Sequence, residues 1–210
     1  MKPNPIFLLV IFALLVFVAL QTEQKFNQQQ QRFTAERVGD SAVFAWRDEV
    51  EFPMSLRLQE TFDEWKGEVD RIVIDLSSPG GSVSEGRQVI QVIDDMKRSH
   101  LVETRVRARR FCLSMCVPIY LQGEMRVAAP TSQWMFHQPS AVDAITGEPI
   151  RTPQLERQYE TQKFVDRYFK QSDMDPLWLE KLEAEWDGKD IWKTGRQLFD
   201  EESGIILEIR

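Results

Sequence analysis

The stretch Arg-Ile-Val-Ile-Asp-Leu-Ser-Ser-Pro-Gly-Gly-Ser, residues 71–82, decides how this chain folds. Its first half, 71–76, is a short apolar run that ends in turn residues, which is typical of a buried β-strand. Pro79, Gly80 and Gly81 then break the strand with a sharp turn. Because glycine has no side chain, this turn lets bare backbone approach a ligand closely. The segment predicts a buried strand that runs into a turn suited to binding a substrate carbonyl.

The segments around this turn alternate between strand and helix periodicity. Apolar residues at helical spacing follow the turn as far as Met96, and apolar and polar residues then alternate over 102–109, as in a strand. Further strands are predicted at 42–46, 125–128 and 133–137, and helices at 55–65 and from Ser114 to about 122. Because repeated β-then-α units imply parallel strands with right-handed crossovers, the predicted class is α/β with a parallel sheet.

Two candidate catalytic residues follow the glycine turn in order along the chain. Ser114 lies in Cys-Leu-Ser-Met-Cys and His137 in Phe-His-Gln-Pro. A serine hydroxyl is a weak nucleophile unless a neutral imidazole takes its proton, and the chain has only two histidines. The other, His100, follows a predicted helix end, where a capping or surface role is expected. The glycine turn and Ser114 both follow strand ends, where ligands bind in open α/β sheets. A helix starting at Ser114 would also direct N–H groups at an oxyanion.

Three motifs together resemble the Clp-type serine peptidases and their relatives, the signal-peptide peptidases. Residues 72–83 resemble the family's strand and oxyanion turn, 113–115 its nucleophile turn, and 134–139 the strand that carries its base. The resemblance implies a ClpP/crotonase-like fold of repeated ββα units. It also implies a peptidase that acts on peptides or proteins and needs neither a cofactor nor a metal. The residues implied are the nucleophile Ser114, the base His137 and the oxyanion donors Gly81, Met115 and Gly80.

A third catalytic residue, a carboxylate that orients the imidazole, is less clearly marked. In the family it lies well downstream of the histidine, shortly before a segment like Trp-Lys-Thr-Gly-Arg-Gln-Leu (192–198). By position Asp190 matches best, Asp187 is its rival, and Asp200 is a more distant alternative. The family's segment after this aspartate is altered here, so the choice among them stays open.

Two features depart from the family pattern. Cys112 and Cys116 flank the nucleophile, and they form either a disulfide, permitted in an oxidising compartment, or small apolar packing groups. A zinc site with His137 lacks a fourth ligand at the usual spacing. Arginines occupy one face of the strand over 102–109, where a sheet covered on both sides needs apolar residues. Those arginines, Arg105, Arg107 and Arg109, are expected either to pair with carboxylates or to border solvent or another subunit.

The N-terminus predicts a membrane segment ahead of the folded domain. Residues 6–20 form an unbroken apolar run that follows Lys2. At roughly 1.5 Å per residue a helical run of this length covers about 22 Å, which fits either a cleaved signal peptide or a short anchor. The expected organisation is a signal or anchor over 1–22, a polar tether over 23–40 and the peptidase domain over 41–210. The domain is expected to lie outside the cytoplasm, in a bacterial periplasm.

Composition and the C-terminal region indicate which kinds of partner to expect. The net charge of −7 argues against nucleic-acid binding, and two cysteines are too few for a disulfide framework. Predicted helices at 154–169 and 176–185 occupy the place that, in Clp-type peptidases, is taken by a helical handle used in ring assembly. Here they either form a subunit contact or cover the sheet, and the resemblance implies a homo-oligomer. An exported domain cannot use cytoplasmic ATP directly, so no ATPase partner is expected.

Two other functions share this expected fold. One is a binding or scaffold protein with an inactive site, which the uncertain third residue and the crowded Cys-Leu-Ser-Met-Cys turn favour. The other is an acyl-CoA enzyme of the same superfold, since a fold alone does not determine function. Such enzymes typically use carboxylates with two backbone donors, so Ser114 and His137 in register count against that alternative.

Overall fold

The computed structural model describes residues 14, 17, 32–140, 150, 152–186 and 188–210. Leu14 and Phe17 are helical, whereas the remainder of the apolar run 6–20 and of the tether up to residue 31 lies outside the described residues. Among the described residues, no helix combines the length and the apolar character that crossing a membrane requires.

Strands and helices alternate along the described chain. The strands are β1 (Phe33–Val38), β2 (Ser41–Trp46), β3 (Arg71–Leu76), β4 (Leu101–Val106), β5 (Phe111–Leu113), β6 (Met125–Ala128), β7 (Gln133–Phe136), β8 (Ile191–Thr194) and β9 (Glu208–Ile209). The helices are α1 (Met54–Trp65), α2 (Val83–Met96), α3 (Cys116–Tyr120), α4 (Gln154–Tyr168), α5 (Pro176–Glu185) and α6 (Gly195–Asp200).

The strands form two sheets, and most of their pairings are parallel. The main sheet has the order β1-β2-β3-β4-β6-β9, in which only the β1–β2 pairing is antiparallel. The smaller sheet has the order β5-β7-β8, with β5 parallel and β8 antiparallel to β7. The predicted α/β class with a mostly parallel sheet is confirmed.

The hydrophobic core lies on one face of the main sheet, under α1 and α2. Side chains alternate along each strand, so Ile72, Ile74 and Leu76 of β3 point together into this core and are fully buried. A hydrogen bond ties the two helices: the carboxylate of Glu85 on α2 accepts from the backbone N–H of Ser55 in the first turn of α1, at 2.7 Å. The packed helices hold the turn between β3 and α2 against the end of the sheet.

The first strand lies in the segment that we expected to be a polar tether. Residues 33–38 form β1, which pairs antiparallel with β2 along the edge of the main sheet, so the boundary predicted at residue 41 is too late here. Phe33 packs its ring against Phe44 with 5.0 Å between centroids. Composition missed this strand because an edge strand is held by backbone pairing to a neighbour and needs few apolar side chains of its own.

Two predicted boundaries near Ser114 also differ from those in the structure. The strand expected over 102–109 ends at Val106, and residues 107–110 form a turn that leads into the unpredicted strand β5. The helix expected to begin at Ser114 begins instead at Cys116 and ends at Tyr120. Alternating polarity continued past the true strand end because Arg107 still projects from the same face as Arg105. Sequence periodicity therefore overran a turn that is closed by backbone hydrogen bonds.

Candidate active site

Ser114 occupies a tight turn between β5 and α3. Its backbone has φ +52°, a left-handed conformation that residues with a Cβ seldom adopt. Its N–H donates to the carbonyl of Met135 on β7 at 2.9 Å, and its own carbonyl accepts from Val117 in the first turn of α3 at 3.0 Å. These two bonds hold the serine between the smaller sheet and the short helix.

His137 is brought to this serine by the pairing of β5 with β7. Leu113 lies opposite Met135 in this parallel ladder, so the residues that follow each of them emerge side by side. The Nε2 atom of His137 lies 2.7 Å from the Oγ atom of Ser114, within the distance expected for a nucleophile and its base. Both side chains are half-buried, so a substrate can reach them.

Two backbone N–H groups are available for an oxyanion beside Ser114. Within the described part of the chain, the N–H groups of Gly81 and Met115 have no hydrogen-bond acceptor. The N–H of Gly80, in contrast, donates to the Oγ of Ser78 at 3.2 Å. The candidate donors are therefore Gly81 and Met115, whereas Gly80 packs closely against the turn that carries Ser114.

The glycine turn is held in place by Val50, which sequence reasoning missed. The N–H of Val50 donates to the carbonyl of Gly80, and its carbonyl accepts from Ser82, each at 2.7 Å. Ser78 also forms an isolated parallel bridge with Cys112, one strand residue before the nucleophile turn. Only the folded topology brings Val50 to this place, because its surrounding sequence carries no motif.

A disulfide joins Cys112 on β5 to Cys116 at the start of α3. Both residues are fully buried, and the bond closes the five-residue segment that has Ser114 at its centre. Of the two alternatives left open by the sequence, the structure supports the disulfide. Paired cysteines carry no thiolate, so neither is a competing nucleophile or a zinc ligand while the bond persists.

Removing this disulfide is expected to destabilise the domain modestly and to impair the site. For so short a loop, the loss of the cross-link should lower the free energy of unfolding by about 2 kcal/mol. Urea unfolding of the wild type and of the double variant Cys112→Ala, Cys116→Ala measures this difference. A reductant should destabilise the wild type and leave the double variant unchanged; equal sensitivity of both proteins would contradict the expectation.

The third catalytic residue stays a proposal. His137 directly follows Phe136, and Asp190 directly precedes Ile191. Because Phe136 and Ile191 are paired in the antiparallel β7–β8 ladder, Asp190 and His137 lie at the same end of that ladder. Asp190 is exposed, and the described residues show no hydrogen bond between it and His137. Asp187 lies outside the described residues. Asp200, at the end of α6, forms an ion pair with Arg196 at 2.8 Å and is separate from the site.

An open cleft of about 830 Å³ lies next to the residues that follow the glycine turn and His137. Val83, which follows the glycine turn, and Pro139 and Ser140, which follow His137, line one part of it. Helix α4 lines the rest with a mixture of charged and aromatic side chains, among them Arg157 and Phe164. The sequence could have indicated this cleft, because some of its lining residues directly follow the glycine turn and His137.

Other titratable groups near the turn have structural roles. Tyr120, at the end of α3, is buried, and burial raises the pKa of its phenol well above the ordinary value, so it stays neutral. Its ring packs edge-on against Trp134 with 4.7 Å between centroids.

Among the described residues there is no group of three histidine, cysteine or acidic side chains that would suit a metal ion.

Comparison with known families agrees with this geometry. The profile of the family described as Clp protease matches residues 58–196, which include the glycine turn, Ser114 and His137. The chain belongs to the Clp protease family. No curated protein matched the chain significantly.

A solved Clp protease structure shares this fold. The structure is similar to that of an asparagine-to-aspartate mutant of ClpP1 from Listeria monocytogenes, with a TM-score of 0.59 and 20% sequence identity. The similarity covers 80% of this chain and 90% of that chain. At this identity the likeness establishes the ClpP-like fold, and function rests on the family match and on the site itself.

Proposed function

We propose that this Clp protease family member hydrolyses peptide bonds with Ser114 as nucleophile and His137 as base. The observation that carries the proposal is the 2.7 Å contact between Ser114 Oγ and His137 Nε2. Family membership supports a serine peptidase in general terms. The two N–H groups beside the serine add the electrostatic element that acyl transfer requires.

The geometry supports a two-step acyl transfer. Ser114 Oγ attacks the carbonyl carbon of the peptide while His137 Nε2 takes its proton, and the N–H groups of Gly81 and Met115 stabilise the oxyanion. His137 then donates that proton to the leaving amine, and an acyl-serine ester remains. In the second step a water loses its proton to His137 and attacks the ester. The oxyanion collapses, the carboxylic product leaves, and Ser114 regains its hydrogen from His137.

Covalent labelling by a fluorophosphonate probe tests the nucleophile directly. The wild-type chain should be labelled at Ser114, because the probe reacts with a hydroxyl activated by a neighbouring imidazole. Ser114→Ala should abolish labelling and peptide hydrolysis, whereas Ser84→Ala, an exposed serine on α2, should change neither. A folded wild-type chain that resists the probe and cleaves no peptide or ester would support the alternative of a catalytically inactive binding protein.

Asp190 is proposed as the residue that orients His137. Contacts of this kind are often loose before substrate binds, so the missing hydrogen bond does not remove the proposal. Asp190→Asn should lower kcat/KM by at least about tenfold, since an amide favours the wrong imidazole tautomer. Asp200→Asn serves as the matched control and should leave the rate unchanged. Equal rates for Asp190→Asn and the wild type would leave a serine–histidine pair without an aspartate.

Assembly and location complete the proposal. Leu155 and Tyr159 on α4 are 81% and 63% exposed, an apolar surface that supports self-association through this helix. Sedimentation velocity distinguishes an assembled ring from a monomer.

The apolar run 6–20 supports membrane anchoring or export of the domain. Fusion of a reporter that is active only in the cytoplasm tests this location, and strong reporter activity would contradict it.

A further inference from the structure

Three arginines surround one fully buried carboxylate on the main sheet. We call Asp75, Arg47, Arg105 and Arg107 the Asp75 cluster. Asp75 Oδ1 accepts from Arg47 Nη2 at 2.6 Å, and Oδ2 accepts from Arg105 Nε at 2.9 Å and from Arg107 Nε. Because its neighbours Ile74 and Leu76 point into the hydrophobic core, Asp75 projects from the opposite face of β3.

This arrangement resolves part of the expectation for the arginine-bearing strand. Arg105 lies directly opposite Asp75 in the β3–β4 ladder, and Arg107 continues the same face into the following turn. Both arginines therefore pair with a carboxylate, which is one of the alternatives that the sequence left open. Arg109, expected on the same strand face, lies instead in the turn 107–110 with φ +60° and is exposed.

The cluster has two positive charges in excess. Glu103, two residues before Arg105 on the same face of β4, contacts Arg71 at 3.5 Å, and no described ion pair joins it to any of the three cluster arginines. Arginine side chains crowded together repel one another unless a further anion lies between them. The excess is notable in a chain whose net charge is −7.

The cluster also has unused hydrogen-bond donors that face outwards. Arg105 and Arg107 bind Asp75 through Nε, and among the described contacts their terminal amino groups have no acceptor. The exposed fractions of the two side chains are 23% and 57%, so these donors reach solvent. A planar guanidinium presents such donors as a fork that fits two oxygens of one anion.

We propose that the Asp75 cluster is a binding site for a phosphate group. A phosphate monoester or inorganic phosphate carries about −1.5 to −2 charges at neutral pH, which matches the excess of the cluster, and its several oxygens can engage both guanidinium forks. A single carboxylate would leave part of the excess uncompensated. Arg109 and Arg110 are exposed in the adjacent turn and extend the positive surface.

The site is separate from the proposed catalytic machinery. Among the described hydrogen bonds and ion pairs, none joins a cluster residue to Ser114 or His137, and the cluster side chains project from the face of the main sheet opposite the hydrophobic core. The proposal therefore stands whether or not the chain is a peptidase. Because Arg107 is not part of the proposed catalytic machinery, Arg107→Gln should hydrolyse peptides at the wild-type rate. An unchanged rate would show that this variant is folded.

Isothermal titration calorimetry of the full-length chain in a non-ionic detergent, with inorganic phosphate at constant ionic strength, tests this site. Saturable binding is expected for the wild type, and Arg107→Gln should weaken it by about tenfold because one charged fork is lost. Arg98→Gln, at an arginine that is 79% exposed and pairs with Asp95, is the matched control and should bind like the wild type. Asp75→Asn, where it folds, should bind phosphate more tightly, since it removes a competing negative charge.

A second arm of the experiment identifies the source of the phosphate group. Vesicles of phosphatidylglycerol are compared with vesicles of phosphatidylcholine in flotation, using the wild type and Arg107→Gln. A preference for phosphatidylglycerol that Arg107→Gln loses assigns the site to lipid headgroups, and phosphate binding without that preference assigns it to a soluble phosphate. Absence of both effects overturns the proposal, as does phosphate binding that is equal in the wild type and Arg107→Gln. A smaller oligomer for Arg107→Gln without phosphate binding would assign the cluster to contacts between copies.

Discussion

His137→Ala is expected to lower kcat by roughly 10²- to 10⁴-fold while the domain stays folded, because Ser114 loses the group that takes its proton. The imidazole contacts the serine hydroxyl at 2.7 Å, and no described residue other than His137 is hydrogen-bonded to that hydroxyl. Steady-state hydrolysis of an activated ester and the rate of fluorophosphonate labelling measure the effect, and both should fall together.

The other histidine is a matched control for this experiment. His100 is hydrogen-bonded through Nδ1 to the Ser99 hydroxyl and through Nε2 to the Lys66 carbonyl, and its ring packs edge-on against Phe62. His100→Ala should therefore affect stability slightly and leave kcat unchanged. Hydrolysis by His137→Ala at the wild-type rate would overturn the assignment of the base.

Gly80→Ala is expected to have the largest effect of any single methyl addition in the glycine turn. The new Cβ would lie 2.6 Å from the Cβ of Ser114 and 2.7 Å from the carbonyl oxygen of Leu113, both too close for atoms in contact. The backbone of Gly80 also has φ +92°, which L residues rarely adopt. The variant must displace the nucleophile turn, so we expect kcat/KM to fall by about 10²-fold or more and unfolding to require less urea.

Two other glycines serve as controls that distinguish backbone strain from steric crowding in Gly80→Ala. Gly39 has φ +64° with nothing within 4 Å of an added Cβ, so Gly39→Ala should cost about 1 kcal/mol of stability and no activity. Gly67 has neither a positive φ nor a close neighbour, so Gly67→Ala should be neutral or slightly stabilising. Wild-type activity in Gly80→Ala would show that the nucleophile turn does not depend on this close approach.

The parts of the fold that sequence predicts well are those with local signals. The run 71–76 and the turn at Pro79–Gly81 identify themselves by hydrophobicity and by residue type, and the structure has them at the predicted positions. The glycine turn and Ser114 were expected at one edge of the sheet because both follow predicted strand ends, and parallel strands bring those ends together. His137 was expected beside Ser114 from the order of the motifs along the chain and from the family resemblance. Local pattern and topology therefore led to the same site.

The features that sequence missed depend on contacts between distant segments. Strand β1 forms only because β2 offers it an edge, and Val50 reaches the glycine turn through backbone hydrogen bonds that no side-chain pattern reports. The helix was predicted to start at Ser114, which is too early. It starts at Cys116, because the backbone N–H of Ser114 is hydrogen-bonded to the carbonyl of Met135 and the serine therefore lies outside the helix. Likewise, Asp75 meets Arg105 by strand register, and register is set by the whole sheet.

The backbone conformation of Ser114 has a meaning for how this chain evolves. A residue with a Cβ at φ +52° is less stable than glycine by roughly 1 kcal/mol, so random substitution governed by stability alone would favour glycine or asparagine there. A serine is therefore expected to remain at this position only while selection favours its hydroxyl. In descendants released from that selection, position 114 would be among the first to change, and its identity across lineages would record where the proposed hydrolysis was kept and where it was lost.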